Sequence, residues 1–147
     1  MHSGLRRLDN PVAVVGALAK RLHARYGDDI LPVFSEVLRE YGYHIGVKLA
    51  KGMAGLDFAE RVILWLDMFL RTGQAVIVRQ DDRGVVVKGY HCPFNLETGD
   101  RTLCKALMEI DAGLIGALAE GDSDLVIEKS LVEGDDCCLI SFLRKPS

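Results

Sequence analysis

Two periods divide the chain. Up to Gly73 the apolar residues recur every three to four positions, and beyond it short runs alternate with period two around one further helical stretch. Asn10-Pro11 offers a cap and a first-turn proline, and Val14, Leu18 and Leu22 follow at four-residue spacing until Gly27 stops the helix. A second helix is predicted from about Asp29, with Pro32 in its first turn and Ile30, Phe34, Val37, Tyr41, Ile45 and Leu49 on one stripe. Gly42 and Gly46 sit four apart on a neighbouring face. Each glycine costs a helix roughly 1 kcal/mol against alanine, so they are either tolerated or mark a close helix or ligand contact. A third helix is predicted from Asp57, with Glu60 completing a capping box, to Thr72, and it is apolar nearly all round.

The strand-like half follows. Ala75–Gln80 and Val85–Tyr90 flank Asp81-Asp82-Arg83-Gly84, a hairpin signal. After the irregular stretch His91–Gly99, a helix is predicted from about Asp100 to Glu120, with Leu103, Leu107, Ile110, Leu114 and Leu118 on its stripe. Leu125–Val132 and Cys138–Leu143 then flank Glu133-Gly134-Asp135-Asp136 as a second hairpin. The expected fold class is α+β: a helical N-terminal half, then hairpin-helix-hairpin forming a four-stranded antiparallel sheet covered by helices. At 147 residues the chain reads as a single domain over 1–147, with an N-terminal helix in 1–30 and the core in 31–145.

Composition narrows the function classes. A hydrophobic share of 49% and a charged share of 27% are those of an ordinary globular protein. The net charge of −3 argues against direct nucleic-acid binding, and the local basic candidates are Arg6-Arg7 and Lys20-Arg21-His23-Arg25, the second more simply a wet helix face. No signal peptide is apparent, and the longest apolar run, Val62–Leu66, is too short to span a bilayer. The cytoplasm is the expected compartment, with no membrane partner. Cysteines there are expected to be reduced, which turns attention to metal binding, catalysis or burial.

Cys92 ends the second strand, and Pro93 fixes its backbone direction. Cys104 falls in the first turn or so of the fourth helix, where the macrodipole favours the thiolate. Cys137 and Cys138 face opposite sides of a strand, and Cys138 shares its face with Ile140 and Phe142. Eleven residues separate Cys92 from Cys104 and thirty-three separate Cys104 from Cys138, with no Cys-x-x-Cys knuckle. Spacing alone does not decide between a metal site and buried thiols. Trp65, Phe69, Phe58, Tyr41 and Tyr43 are candidates for the lining of an apolar pocket, with Trp65, Phe69 and Tyr41 the ligand-binding set.

The stretch from about Tyr41 to Leu143 resembles the C-terminal sensor half of bacterial iron–sulfur-binding repressors and, more distantly, the 4-vinyl-reductase-type small-molecule-binding domains. The resemblance rests on Gly42-Tyr43-His44-Ile45-Gly46-Val47-Lys48-Leu49-Ala50, His91-Cys92-Pro93-Phe94, Leu103-Cys104, Gly113-Leu114-Ile115 and Glu133-Gly134-Asp135-Asp136-Cys137-Cys138. It implies that Cys92, Cys104 and Cys138 hold an iron–sulfur cluster or zinc, with His91, Cys137 or a small molecule as fourth ligand. Those regulators carry an N-terminal DNA-binding domain for which residues 1–40 are too short and apolar. The expectation is therefore a metal-binding sensor or regulatory domain without its own DNA reader, acting as a homodimer or with a regulatory protein partner. The ending also resembles aminothiazoline-carboxylate-hydrolase-like proteins. That resemblance implies a hydrolase with Cys92 or Cys104 as nucleophile, His91 or His44 as base, and Asp135 or Asp136 orienting it. An apolar small-molecule-binding domain without metal is the third reading.

Overall fold

The computed structural model describes residues 10–146. The order of elements is the α+β one that the patterning predicts, and the four strands form one antiparallel sheet. Helix α1 (Pro11–Tyr26) begins where Asn10 Oδ1 accepts the Ala13 N–H at 2.9 Å, and it ends at Gly27, whose φ of 74° closes the helix. A 3-10 turn (Gly27–Ile30) leads into α2 (Leu31–Lys51). Of the two basic candidates, Arg6-Arg7 lies outside the described residues. In the other, Lys20 is paired with Glu97 and Asp100 at 3.2 and 3.3 Å.

The stripe predicted for α2 is displaced. Val37 and Tyr41 are exposed, whereas Gly42 and Gly46 are buried, with Phe34, Leu38, Ile45 and Leu49 partly buried around them. The reason is a backbone contact. A Cβ on Gly42 would collide with the Ile110 carbonyl, and one on Gly46 would lie 2.6 Å from the Leu114 carbonyl. Gly113 answers from the other helix, against the Arg39 carbonyl. The two glycines of α2 therefore mark a close helix contact, and that contact turns the helix until the glycines face inward.

Helix α3 (Phe58–Trp65) opens on the predicted capping box. Asp57 accepts the Glu60 N–H at 2.8 Å, and Glu60 Oε1 accepts the Asp57 N–H at 3.1 Å. The predicted single helix to Thr72 is broken at Leu66, after which α4 (Asp67–Arg71) forms. Its apolar surroundings are uneven: Val62 is fully buried, while Leu64 and Met68 are exposed.

Strands β1 (Ala75–Asp81) and β2 (Gly84–Gly89) form the first hairpin, its turn fixed by Asp81 Oδ1 accepting the Arg83 N–H at 2.9 Å. The predicted fourth helix is two, α5 (Arg101–Leu107) and α6 (Glu109–Ala119), separated at Met108. Strands β3 (Ser123–Lys129) and β4 (Cys138–Arg144) make the second hairpin. The sheet order is β1-β2-β4-β3, so the hairpins lie side by side with β2 and β4 in the middle. Each outer strand carries one irregularity, at Val78 in β1 and at Glu128 in β3.

Two apolar clusters form the core, the first between sheet and helices and the second among helices and the loop after β2. One joins Val62, Val85, Ile115, Leu118 and Phe142; the other joins Ala19, Phe94, Leu103, Leu107 and Val132. Trp65 meets Phe142 edge-on, with ring centroids 5.5 Å apart, a contact of about 1 kcal/mol beyond the area it buries. Among the described residues, no helix is long and apolar enough to cross a membrane.

Candidate functional site

A cavity of about 270 Å³ opens where the two clusters meet. Trp65 and Phe69 line it from the helices, Val87, Ile140 and Phe142 from the sheet, and Phe94 from the loop after β2. Cys92, Cys104 and Cys138 line it as well, with His91 beside them. His91, Pro93 and Gln74 are exposed lining residues and mark the side facing solvent.

Sheet register explains how residues so far apart in sequence converge. Gly89 pairs with Cys138, so the start of β4 lies beside the end of β2, three residues before Cys92. The third thiol arrives on α5. The start of that helix is tied to the turn before β4 by the Arg101–Glu133 ion pair at 2.6 Å and by the Gly99 N–H donating to the Val132 carbonyl at 2.8 Å. Strand alternation sends Cys138 to the cavity with Ile140 and Phe142, as predicted, and Cys137 is buried outside the cavity lining. Of the three expected ligand-binding aromatics, Trp65 and Phe69 line the cavity. Tyr41 is exposed on α2 and does not, nor does Tyr43, and Phe58 belongs to the core.

Two of the thiols are held toward their neutral forms. Burial first, and the nearby Cys92 and Cys138 sulfurs after it, push Cys104 up to about 11. Cys138 is also raised, mainly by burial. The Ser130 hydroxyl opposes the rise at both sulfurs, and the Leu131 N–H points at Cys138 Sγ from 3.5 Å. The dipole that was expected to favour a Cys104 thiolate is thus overridden by desolvation. One outcome is measurable by mass spectrometry of iodoacetamide labelling in ligand-free protein. At pH 8 a rise from 9.0 to about 11 lowers the Cys104 thiolate population about a hundredfold, and the greater nucleophilicity of a more basic thiolate returns about eightfold. Cys104 should therefore react about tenfold more slowly than an unstructured thiol. Labelling at the unstructured rate would refute this protonation state.

Asp111 is the lining residue that the sequence reading passed over. It lies in the first turn of α6, where a helix N-terminus ordinarily favours the carboxylate. Its carboxyl has no hydrogen-bond or ion-pair partner among the described residues, and burial alone raises it to about 7. The available signal was a carboxylate four residues from both Leu107 and Ile115, on an otherwise apolar stripe. Ser130, buried beside two thiols, was also missed, because its role depends on the turn that it caps.

The donors are chemically apt for a soft metal, since thiolates bind zinc and iron–sulfur clusters. Their spacing is not that of a single-ion site: among the described residues, no group of three or more His, Cys, Asp or Glu side chains could hold one metal ion in this arrangement. The residues of the hydrolase reading are more scattered. His44 is exposed on α2 and does not line the cavity, and Asp135 accepts the Ser130 N–H at 2.9 Å within its turn. No hydrogen bond joins a histidine to a cysteine among the described residues. Set against known proteins, the chain matches no family model and no curated protein sequence.

Proposed function

We propose that this chain is a small-molecule-binding domain of sensor type, whose ligand occupies the cavity between sheet and helices. The observation that carries this reading is the cavity itself: about 270 Å³, walled by Trp65, Phe69, Phe94 and Phe142, with a few polar groups converging on it. Apolar walls with sparse polar groups are the usual composition of a ligand site. A dry apolar cavity of about 150 Å³ already takes benzene, so this one has room for a larger ring-bearing molecule.

Trp65 is the sole tryptophan of the chain, which makes its emission a direct reporter. Titration with 4-phenylbutanol is expected to change that emission saturably and to raise the melting temperature, by linkage. Trp65→Phe should remove the optical signal and keep the thermal shift. If 4-phenylbutanol changes neither emission nor melting temperature up to its solubility limit, the cavity reading fails.

A second reading is favoured by one specific observation, the closeness of the Cys92 and Cys138 sulfurs to Cys104, whose titration they raise. On that reading the thiols hold an iron–sulfur cluster, whose ligands stand farther apart than those of a single ion because inorganic sulfide fills the centre. Metal and sulfide analysis of protein purified without oxygen separates the two readings. A cluster predicts iron, brown colour and their loss in Cys92→Ser, Cys104→Ser and Cys138→Ser, with Cys137→Ser little affected. Iron-free, colourless protein would remove it.

A further inference from the structure

We propose that the cavity selects an apolar molecule bearing a basic amine, and that the amine docks on the carboxylate of Asp111. The inference rests on the cavity reading and deepens it by naming the class of ligand.

The cavity offers a ligand three kinds of wall. Aromatic rings from Trp65, Phe69, Phe94 and Phe142 suit a hydrocarbon or aryl body. Thiols from Cys92, Cys104 and Cys138 are weak hydrogen-bonding groups and, with burial holding Cys104 and Cys138 toward their neutral forms, supply little charge. Asp111 is the third kind. It is the one carboxyl among the described lining residues, and it enters from α6 beside Leu114 and Ile110.

What Asp111 lacks among the described residues is a cation. Among the described residues no lysine or arginine lines the cavity, and His91 stands on its exposed side. A desolvated carboxyl without a partner is a liability to the fold that an apolar residue would not carry. An ammonium group inside the cavity would supply the missing partner through charge-assisted hydrogen bonds, which are roughly twice as strong as neutral ones. A ligand carboxylate would instead place two negative charges side by side within largely apolar walls. A neutral alcohol would find a partner in Asp111 without the charge attraction. The order of preference is therefore amine, alcohol, acid.

One scaffold tests this. In 4-phenylbutylamine, 4-phenylbutanol and 4-phenylbutyrate the body is constant and the terminal group alone changes. With Trp65 emission or calorimetry as readout at pH 8, the amine should bind about tenfold or more tightly than the alcohol, and the acid more weakly than either. In Asp111→Asn the amine should fall to the affinity of the alcohol, while the alcohol should be little changed. The alcohol is the internal reference. If it binds while the amine binds no more tightly, or if Asp111→Asn leaves the preference for the amine intact, the amine assignment is overturned and the cavity reading stands. If the alcohol fails to bind, the cavity reading falls and this inference falls with it.

Discussion

Gly42→Val should be the most damaging single substitution on the helical side of this protein, lowering stability by about 3 kcal/mol or more. The cause is local: a side chain at Gly42 would have to occupy the space of the Ile110 carbonyl, which is backbone and cannot swing aside. The helices must separate, and α2 and α6 carry residues of both apolar clusters, Ile45, Leu49, Leu114 and Ile115 in one and Phe34, Leu38 and Ile110 in the other. For a domain of this size such a loss lowers the melting temperature by about 10 °C. Gly116→Ala is the control. It lies on the same helix as Gly113, yet its Cβ would find Ser123 Oγ at 3.6 Å, an ordinary contact. Alanine there should be neutral or stabilising by up to about 1 kcal/mol. Thermal denaturation followed by helical circular dichroism compares the two. A Gly42→Val protein that melts with the parent would show that the helices can part without loss.

Asp111→Asn should make the ligand-free protein more stable above neutral pH, and the gain should vanish toward pH 4. The sign follows from proton binding. The folded carboxyl titrates at about 7 and the unfolded one near 3.8, so between these values the native state holds a proton that the unfolded state has released. Stability from this group therefore falls as pH rises from about 4 to about 7 and is flat above, the reverse of an acid stabilised by an ion pair. Three pH units at about 1.4 kcal/mol each set a ceiling of roughly 4 kcal/mol, large beside the 5–15 kcal/mol of a typical domain. Among the described residues the cavity's other titratable groups are His91, Cys92, Cys104 and Cys138, and they are common to both proteins, so the difference isolates Asp111. Urea denaturation of parent and variant across this range measures it. A pH-independent difference would mean that Asp111 reaches water or a partner.

Most elements were legible in the sequence because each depends on near neighbours. Asn10 and Asp57 cap where they stand, Gly27 ends its helix, and alternation sets the strands and sends Cys138 inward. The breaks at Leu66 and Met108 were not legible, since neither residue is a helix breaker. The buried face of α2 was misplaced for a related reason. Hydrophobic periodicity counts side chains, and Gly42 and Gly46 have none to count, although their lack of one lets α6 approach. At the site, the convergence of Cys92, Cys104 and Cys138 could be anticipated from strand ends and resemblance. Asp111 could not, because a carboxylate on an apolar stripe becomes informative only when nothing is found to pair with it.

The irregularities at Val78 and Glu128 bear on how the molecule behaves in company. Sheet edges are templates on which further strands can add, and the two outer strands here are the places where a second chain could begin to polymerise. Each is interrupted by one extra residue, and each carries charge close to the interruption, Arg79 and Asp81 on β1 and Glu128 and Lys129 on β3. A straight incoming strand would lose register on either side. Each edge of the described sheet thus carries features that oppose growth by further strands.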